Sequence, residues 1–271
     1  MDNVNEFFAA LSSFLWGWPM IVLLLGTHIF LTVRLRFPQR KLFTAIRLSV
    51  QRDKSQKGDV SQFGALATAL AATIGTGNII GVATAVALGG PGAVFWCWLT
   101  GVFGISTKYS EALLAIKYRI KSERGLMQGG PMYTLERGLG WRKMGILFAI
   151  FTAIAAFGIG CTVQANAIST IMYASYGIST ELSGGVLMLL AAAVIIGGVR
   201  SISKVCSMLV PFMALLYVLG CVYILYVNAV YVAPALQLIV SSAFSPEAAG
   251  GGFAGASVIM AARYGIARGL F

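Results

Sequence analysis

Residues 75–92 read GTGNIIGVATAVALGGPG and lie within a long apolar segment. Gly75, Thr76, Gly77 and Asn78 stand where a membrane-spanning helix ordinarily carries leucine or isoleucine. Two glycines within three residues weaken a helix locally, because glycine has no side chain to restrict its backbone. In lipid every freed backbone group needs a partner, so a break must face protein or a water-filled cavity. The motif predicts that residues 75–78 depart from helical geometry and line a cavity.

Helix packing is the alternative interpretation of these small residues. Gly77 and Gly81 form a GxxxG pattern, which lets two membrane helices approach closely. A dinucleotide-binding fingerprint is excluded, because the third glycine comes one residue too late and no strand precedes it. The residues alone leave both the packing and the broken-helix interpretations open.

The composition indicates a membrane protein with several spans. Hydrophobic residues make up 58% of the 271 residues and charged residues 11%, against roughly 25% in soluble domains. The net charge of +11 does not indicate a nucleic-acid partner, because the basic residues fall into a few loops and helix ends. A single histidine, His28, makes a poor metal site, and the four cysteines lie in apolar segments. The sequence contains neither an HExxH nor a GxSxG motif, so it gives no sign of the enzyme classes that these motifs mark.

Seven apolar segments predict seven spans, and their flanking charges predict an orientation. The segments cover approximately residues 7–33, 62–88, 93–116, 144–174, 184–199, 206–228 and 252–271. Lysine and arginine concentrate in loops 34–57 and 117–143, followed by Arg200 and Lys204, whereas the alternate connections contain none. Because basic loops stay in the cytoplasm, we expect a cell-membrane protein whose N-terminus lies outside and whose C-terminus lies inside.

Two connections are predicted to be helical without crossing the membrane. Residues 37–50 combine basic side chains with an apolar face, which suits a helix on the inner membrane surface. That face consists of Leu42, Phe43, Ile46 and Val50. Residues 229–243 are apolar but interrupted by Pro234, which favours a short interfacial or re-entrant helix.

The fourth apolar segment carries a second polar patch. Gln164 and Asn166 lie about 200° apart on a helix, so they do not face the same site. Asn166 shares its face with Thr162, Ser169 and Thr170. Each amide is as well explained by a hydrogen bond between helices as by a ligand.

Four sequence islands resemble the alanine/glycine:cation symporter family, also known as the sodium:alanine symporter family. They read GTGNIIGVATAVALGGPGAVFW, GGPMYTLERGLG, VQANAIS and GGFAGASVIMAARYGIARGLF. The resemblance implies the all-α leucine-transporter-type fold, in which two inverted five-helix repeats each begin with a broken helix. The first span would then be an extra helix, the next five the first repeat, and the seventh the start of the second.

The resemblance also implies the function and its residues. The expected activity is sodium-coupled symport of alanine or glycine, with no enzymatic cofactor and no protein partner, although a proton could replace sodium. An ion channel or a transporter of another small solute is the alternative. The implied substrate-binding residues are Thr76, Gly77, Asn78, Gln164, Met260 and Tyr264. The implied sodium ligands are Ala71, Thr73, Ile74 and Asn78.

The C-terminal end of the sequence departs from the family pattern. The chain stops at Phe271, at the end of the seventh segment, whereas family members continue through further spans. We therefore expect a single, incomplete transmembrane domain that inserts but neither binds nor transports alanine by itself.

Overall fold

The computed structural model describes residues 6–7, 10–11, 14, 18–51, 59–123, 125–156 and 162–244, and these are mostly helical. The helices are α1 (Trp18–Arg34), a short 3-10 helix (Pro38–Lys41), α2 (Leu42–Val50), α3 (Gln62–Thr73), α4 (Thr76–Gly89), α5 (Gly92–Lys117), α6 (Pro131–Leu139), α7 (Arg142–Ala155), α8 (Val163–Tyr176), α9 (Thr180–Ile195), α10 (Gly198–Val227) and α11 (Ala229–Phe244). Strands β1 (Ile120–Lys121) and β2 (Met127–Gln128) form a small antiparallel ribbon.

By length and composition, two stretches of the described chain are long and apolar enough to cross a membrane. One is Gln62–Gly89, which takes α3 and α4 together, and the other is α10. The bent pair Pro19–Arg34 and Pro38–Val50 adds a third if it counts as one span. Helices α9 and α11 are apolar but have 16 residues each, about 24 Å, which is less than the ~30 Å hydrocarbon core. The seven predicted spans stay a prediction.

Contacts group the chain into two compact units. The first unit comprises Met1–Leu42, Gly77–Ser110 and Tyr217–Phe271, and the second comprises Phe43–Thr76 and Glu111–Leu216. Each unit is therefore built from segments that are distant in sequence.

In the first unit, a buried polar network joins α1 to α5. His28 Nδ1 and Thr107 Oγ1 are 2.6 Å apart, and the hydroxyls of Thr32 and Ser106 are 2.8 Å apart. Gln39, just after α1, donates to Ser106 Oγ at 3.0 Å. His28 is 3% exposed and Ser106 is fully buried. Hydrogen bonds rather than apolar contact alone therefore fix how these two helices pair.

The first unit also contains a close approach between α5 and α11. A β-carbon on Gly92 would lie 2.6 Å from the backbone carbonyl oxygen of Ser242, so only glycine fits without a shift. The Trp96 indole donates to the Ala243 carbonyl at 3.4 Å, and the Phe95 and Phe244 rings meet edge to face. These contacts seat the end of α11 on the start of α5.

In the second unit, the island GGPMYTLERGLG forms a short helix with marked ends. Gly130 precedes Pro131, the first residue of α6, and adopts a positive φ of 129°. Proline suits a first helical position because its missing amide has no intrahelical acceptor. Gly140 ends α6 in the left-handed conformation. Helix α7 then packs back on α6, where a β-carbon on Gly145 would lie 2.8 Å from the Met132 carbonyl oxygen.

The second unit also packs the start of α3 against α10. Gly64 is buried, and a β-carbon on it would collide with Ser203 Oγ of α10. Ser61 caps α3, because its hydroxyl accepts a hydrogen bond from the Gly64 amide at 3.0 Å. Just before this cap, Asp59 Oδ2 accepts a hydrogen bond from the Met127 amide at 2.8 Å, which ties ribbon strand β2 to the start of α3.

The helix boundaries differ from the predicted segments in one place. The predicted connection containing Arg200 and Lys204 is helical, because α10 already begins at Gly198. The predicted short helix at 229–243 is present as α11, which continues through Pro234. Helices α7 and α8 cover most of the described parts of segment 144–174, of which residues 157–161 lie outside the described residues. The predicted helix within residues 37–50 is confirmed as the 3-10 helix followed by α2.

Candidate functional site

The helix break lies at Ile74 and Gly75. Ile74 has φ −82° and ψ 80°, and the Gly75 amide donates to the Thr73 carbonyl at 3.0 Å. These values describe an inverse γ-turn, a three-residue turn closed by one hydrogen bond. Helix α4 begins immediately afterwards at Thr76. The α-helical hydrogen bonds therefore stop at the end of α3, are replaced by the γ-turn bond, and resume in α4.

The predicted break at residues 75–78 is confirmed at Gly75, but it begins one residue earlier, at Ile74, and does not extend into residues 76–78. Thr76, Gly77 and Asn78 form the first turn of α4 instead of an irregular segment. Amides in a first turn need no intrahelical acceptor, so residues of low helix propensity cost little there. The Thr73 hydroxyl also donates to the Ala69 carbonyl at 2.9 Å, a bond that competes with the helix at its end.

The break brings two helix ends of opposite polarity together in the chain. The last regular bond of α3 runs from the Ile74 amide to the Leu70 carbonyl at 2.7 Å. The next amide, that of Gly75, turns to Thr73 rather than to Ala71. The C-terminal carbonyls of α3 carry partial negative charge, and the first amides of α4 carry partial positive charge. Such a turn presents groups for a cation and for an anion.

Gln164 of α8 lies beside this break, in the same unit as Gly75. A β-carbon on Gly75 would lie 3.5 Å from Gln164 Nε2 and 3.9 Å from Oε1. Gln164 is half-buried, whereas Asn166 is exposed. The Asn166 side chain accepts a hydrogen bond from Thr170 Oγ1 at 3.0 Å, on its own helix rather than on a neighbouring one. The structure thus places one of the two amides at the break.

The sequence model of the sodium:alanine symporter family matches residues 1–271. The chain belongs to this family. Its members are transporters rather than enzymes, and the apolar helices of this chain agree with an all-α membrane protein.

Named relatives of the family support this assignment. The sodium/alanine symporter AgcS of Methanococcus maripaludis is 51% identical over 267 residues, which are 96% of this chain and 58% of that protein. An uncharacterized transporter of Haemophilus influenzae is 49% identical over 99% of this chain and 59% of its own length. The putative sodium/proton-dependent alanine carrier protein YrbD of Bacillus subtilis is 38% identical, over 98% and 54%. The chain thus spans a little more than half the length of these relatives.

The sodium:alanine symporter family implies a cation, and the break offers oxygen atoms for one. Ala71 and Thr73 lie in the last turn of α3, Ile74 in the γ-turn and Asn78 in the first turn of α4. The Ala71 carbonyl has lost the Gly75 amide as its usual helical donor. Hard cations prefer oxygen ligands of this kind. In the described part of the chain, no group of three His, Cys, Asp or Glu residues could hold a metal ion.

Only some of the remaining predicted site residues lie in the part of the chain that the structure describes. Thr76 and Gly77 contribute the first two backbone amides of α4. Met260 and Tyr264 lie outside the described residues. Within the second unit, the predicted site residues that the structure describes are Ala71, Thr73, Ile74, Thr76 and Gln164.

Sequence reasoning named Ile74 only as an implied sodium ligand and did not identify it as the residue that makes the turn. The available signal was its position between Thr73 and Gly75, since a β-branched residue between two poor helix formers favours extended backbone.

Proposed function

We propose that this chain contributes the first half of a sodium-coupled symporter for alanine or glycine that works by alternating access. The observation that carries the proposal is the position of Gln164 beside the turn at Ile74 and Gly75. A side-chain amide, the first backbone amides of α4 and the last backbone carbonyls of α3 lie there, and residues 71–78 include no ionisable side chain. A zwitterionic amino acid and a cation need this mixture of groups.

In this proposal the first turn of α4 holds the substrate carboxylate. The amides of Thr76 and Gly77 donate to it, Asn78 assists, and the positive end of the helix adds a favourable field. Gln164 supplies one donor and one acceptor to the substrate. Met260 and Tyr264 close the pocket, and their bulk limits the substrate side chain to that of alanine or glycine.

Sodium binds on the other side of the turn in the same proposal. The carbonyls of Ala71, Thr73 and Ile74 and the Asn78 side chain provide oxygen ligands. The Thr73 carbonyl also accepts the Gly75 amide at 3.0 Å. Coupling follows because the ion and the carboxylate use opposite faces of one turn.

The fold and orientation complete the proposal. The chain contains an extra N-terminal helix, the first five-helix repeat of a leucine-transporter-type fold and the start of the second repeat. The N-terminus lies outside, and loops 34–57 and 117–143 lie inside. The break then sits near the membrane midplane, where rocking of the broken helix exposes it to either side.

Uptake by proteoliposomes tests the transport proposal. Because this chain spans only 54–59% of the length of its three named relatives, the assay uses a full-length protein that contains it. That protein is purified and reconstituted, an inward sodium gradient is imposed, and the accumulation of labelled alanine and glycine is measured. We expect accumulation that collapses when potassium replaces sodium, whereas accumulation driven by a proton gradient alone would make the proton the coupling ion. An alanine-independent sodium current would instead favour a channel.

Thiol labelling tests the orientation separately. A cysteine introduced for exposed Lys121 should be protected from an impermeant reagent added outside, and one introduced for exposed Tyr176 should react. Both variants need a background without the four native cysteines. The opposite labelling pattern would reverse the orientation.

A further inference from the structure

A polar cavity of about 400 Å³ lies between the start of α3 and the first turns of α10. It belongs entirely to the second unit and lies away from the helix break. Its lining residues are Asp59, Val60, Ser61, Arg200, Ser203, Lys204 and Ser207. None of them belongs to the proposed substrate or sodium site.

The lining combines two cations with three hydroxyls. Arg200 and Lys204 are exposed and have no carboxylate within 4.0 Å among the residues that the structure describes. The Ser61 hydroxyl already accepts the Gly64 amide and keeps its own proton to donate. Ser207 Oγ donates to the Ser203 carbonyl at 2.7 Å, so it presents its lone pairs unless it turns toward a ligand. Guanidinium, ammonium and hydroxyl donors around one space suit a phosphate group.

One carboxylate shares the cavity. Asp59 is committed to the ribbon, because its Oδ2 accepts the Met127 amide at 2.8 Å. The charged lining therefore amounts to two positive groups and one negative group, which leaves one positive charge for an anion.

The exposed apolar surface of α10 beyond the cavity favours a lipid over a free phosphate ion. Met208, Pro211 and Leu215 follow Lys204 at spacings of four, seven and eleven residues, so they continue its stripe along α10. Met208 is 72% exposed and Leu215 is 60% exposed. A polar site that continues into an exposed apolar stripe matches a phospholipid, which has both a charged headgroup and acyl chains. Inorganic phosphate has no apolar part that could contact the stripe.

We infer that this cavity binds the phosphate of an anionic phospholipid in the inner leaflet. The inference rests on the proposed orientation, which puts the start of α10 on the cytoplasmic side, where basic pockets between helices recognise anionic headgroups. Arg200 and Lys204 hold the phosphate, and the acyl chains lie along Met208 and Leu215. Because Ser61 caps α3, the bound lipid joins the start of the broken helix to α10.

Native mass spectrometry of the detergent-solubilised protein tests the binding without any transport measurement. Phosphatidylglycerol is titrated against the protein, with phosphatidylcholine as the zwitterionic comparison. We expect the double variant Arg200→Gln, Lys204→Gln to bind phosphatidylglycerol about tenfold more weakly or worse. The matched control is Arg137→Gln, Lys143→Gln, which removes two exposed basic residues elsewhere in the same unit and should change binding less than about twofold.

A variant that is expected to strengthen lipid binding provides a second test if the double variant does not fold. Asp59→Asn removes the negative charge but keeps an oxygen that can accept the Met127 amide, so it should strengthen phosphatidylglycerol binding. The pair Arg200→Lys, Lys204→Arg preserves both charges and should retain binding.

Three results would overturn the inference. If the double variant and its control weaken phosphatidylglycerol binding equally, the effect comes from general surface charge rather than from the cavity. Equal binding of phosphatidylcholine would remove the role of the anionic headgroup. Displacement of the lipid by millimolar sodium phosphate would assign the cavity to a free anion. Failure of sodium-driven uptake leaves all these measurements unaffected, so the two proposals fail separately.

Discussion

The side-chain amide of Gln164 lies 3.5 Å from the point where a β-carbon on Gly75 would stand. The glycine occupies the turn between α3 and α4, and the glutamine belongs to α8. An alanine at position 75 would meet the amide at ordinary van der Waals distance, whereas a longer side chain would displace it. The Gln164 side chain of α8 therefore lies next to the break between α3 and α4, and the predictions about substrate binding depend on this proximity.

The first prediction separates the two amides of α8. If Gln164 contacts the substrate as proposed, Gln164→Ala in the full-length protein should raise the KM for alanine by roughly tenfold, equal to about 1.4 kcal/mol of lost binding. Asn166→Ala is the matched control, since Asn166 is exposed and bonds only within its helix among the described contacts. Initial rates of sodium-driven uptake measure both. A larger KM effect in Asn166→Ala would move the site to the opposite face of α8.

The second prediction concerns the first turn of α4. Gly77→Leu in the full-length protein should abolish uptake while leaving membrane insertion intact, because the side chain would occupy the space proposed for the substrate carboxylate. Gly101→Leu in α5 is the control, since a β-carbon there meets nothing within 4 Å. Uptake is compared with the amount of inserted protein. Unchanged affinity for alanine in Gly77→Leu would return the glycines to a packing role.

The third prediction concerns the contact between α5 and α11. Gly92→Ala should destabilise the protein by about 1–3 kcal/mol, because the new methyl group would meet the backbone of Ser242 at 2.6 Å. Gly101→Ala, on the same helix and in open space, should be neutral or stabilise by about 0.5–1 kcal/mol. Thermal unfolding in detergent measures both. Equal stability of the two variants would contradict the close approach.

The fourth prediction concerns the polar network between α1 and α5. A double-mutant cycle with His28→Leu and Thr107→Val should give a coupling of about 0.6 kcal/mol, with an upper value near 1.7 kcal/mol. The two atoms are 2.6 Å apart and His28 is 3% exposed, so the coupling reports one buried hydrogen bond. Additive effects of the two substitutions would show that the residues act independently.

Local features of the fold were predictable from the sequence, because neighbouring residues determine them. The apolar face of residues 42–50 predicted α2, and the glycine-threonine cluster predicted a break to within two residues. Gly130, Pro131 and Gly140 mark the ends of α6 by their backbone preferences. Propensity operates over a few residues, so it works at these places.

Features that depend on distant partners were not predictable from one sequence. The contact between Gly92 and Ser242 joins residues far apart in the chain, and the bond from Met127 to Asp59 depends on a ribbon with two residues in each strand. The start of α10 at Gly198 was missed because Arg200 and Lys204 are charged, yet charged residues fit a helix end that faces water. Gln164 could be selected over Asn166 only by resemblance until the break was located in space.

The hydrogen bond between His28 and Thr107 has a consequence for synthesis. Its two residues are 79 positions apart, so His28 leaves the ribosome long before its partner exists. At about 5–20 residues per second, the delay is about 4–16 s. During that interval the first helix carries histidine and threonine side chains whose native partners on α5 are missing, and hydrocarbon is a poor solvent for them. We therefore expect the nascent chain, before the third apolar segment is made, to be more sensitive than the folded protein to a change at position 28.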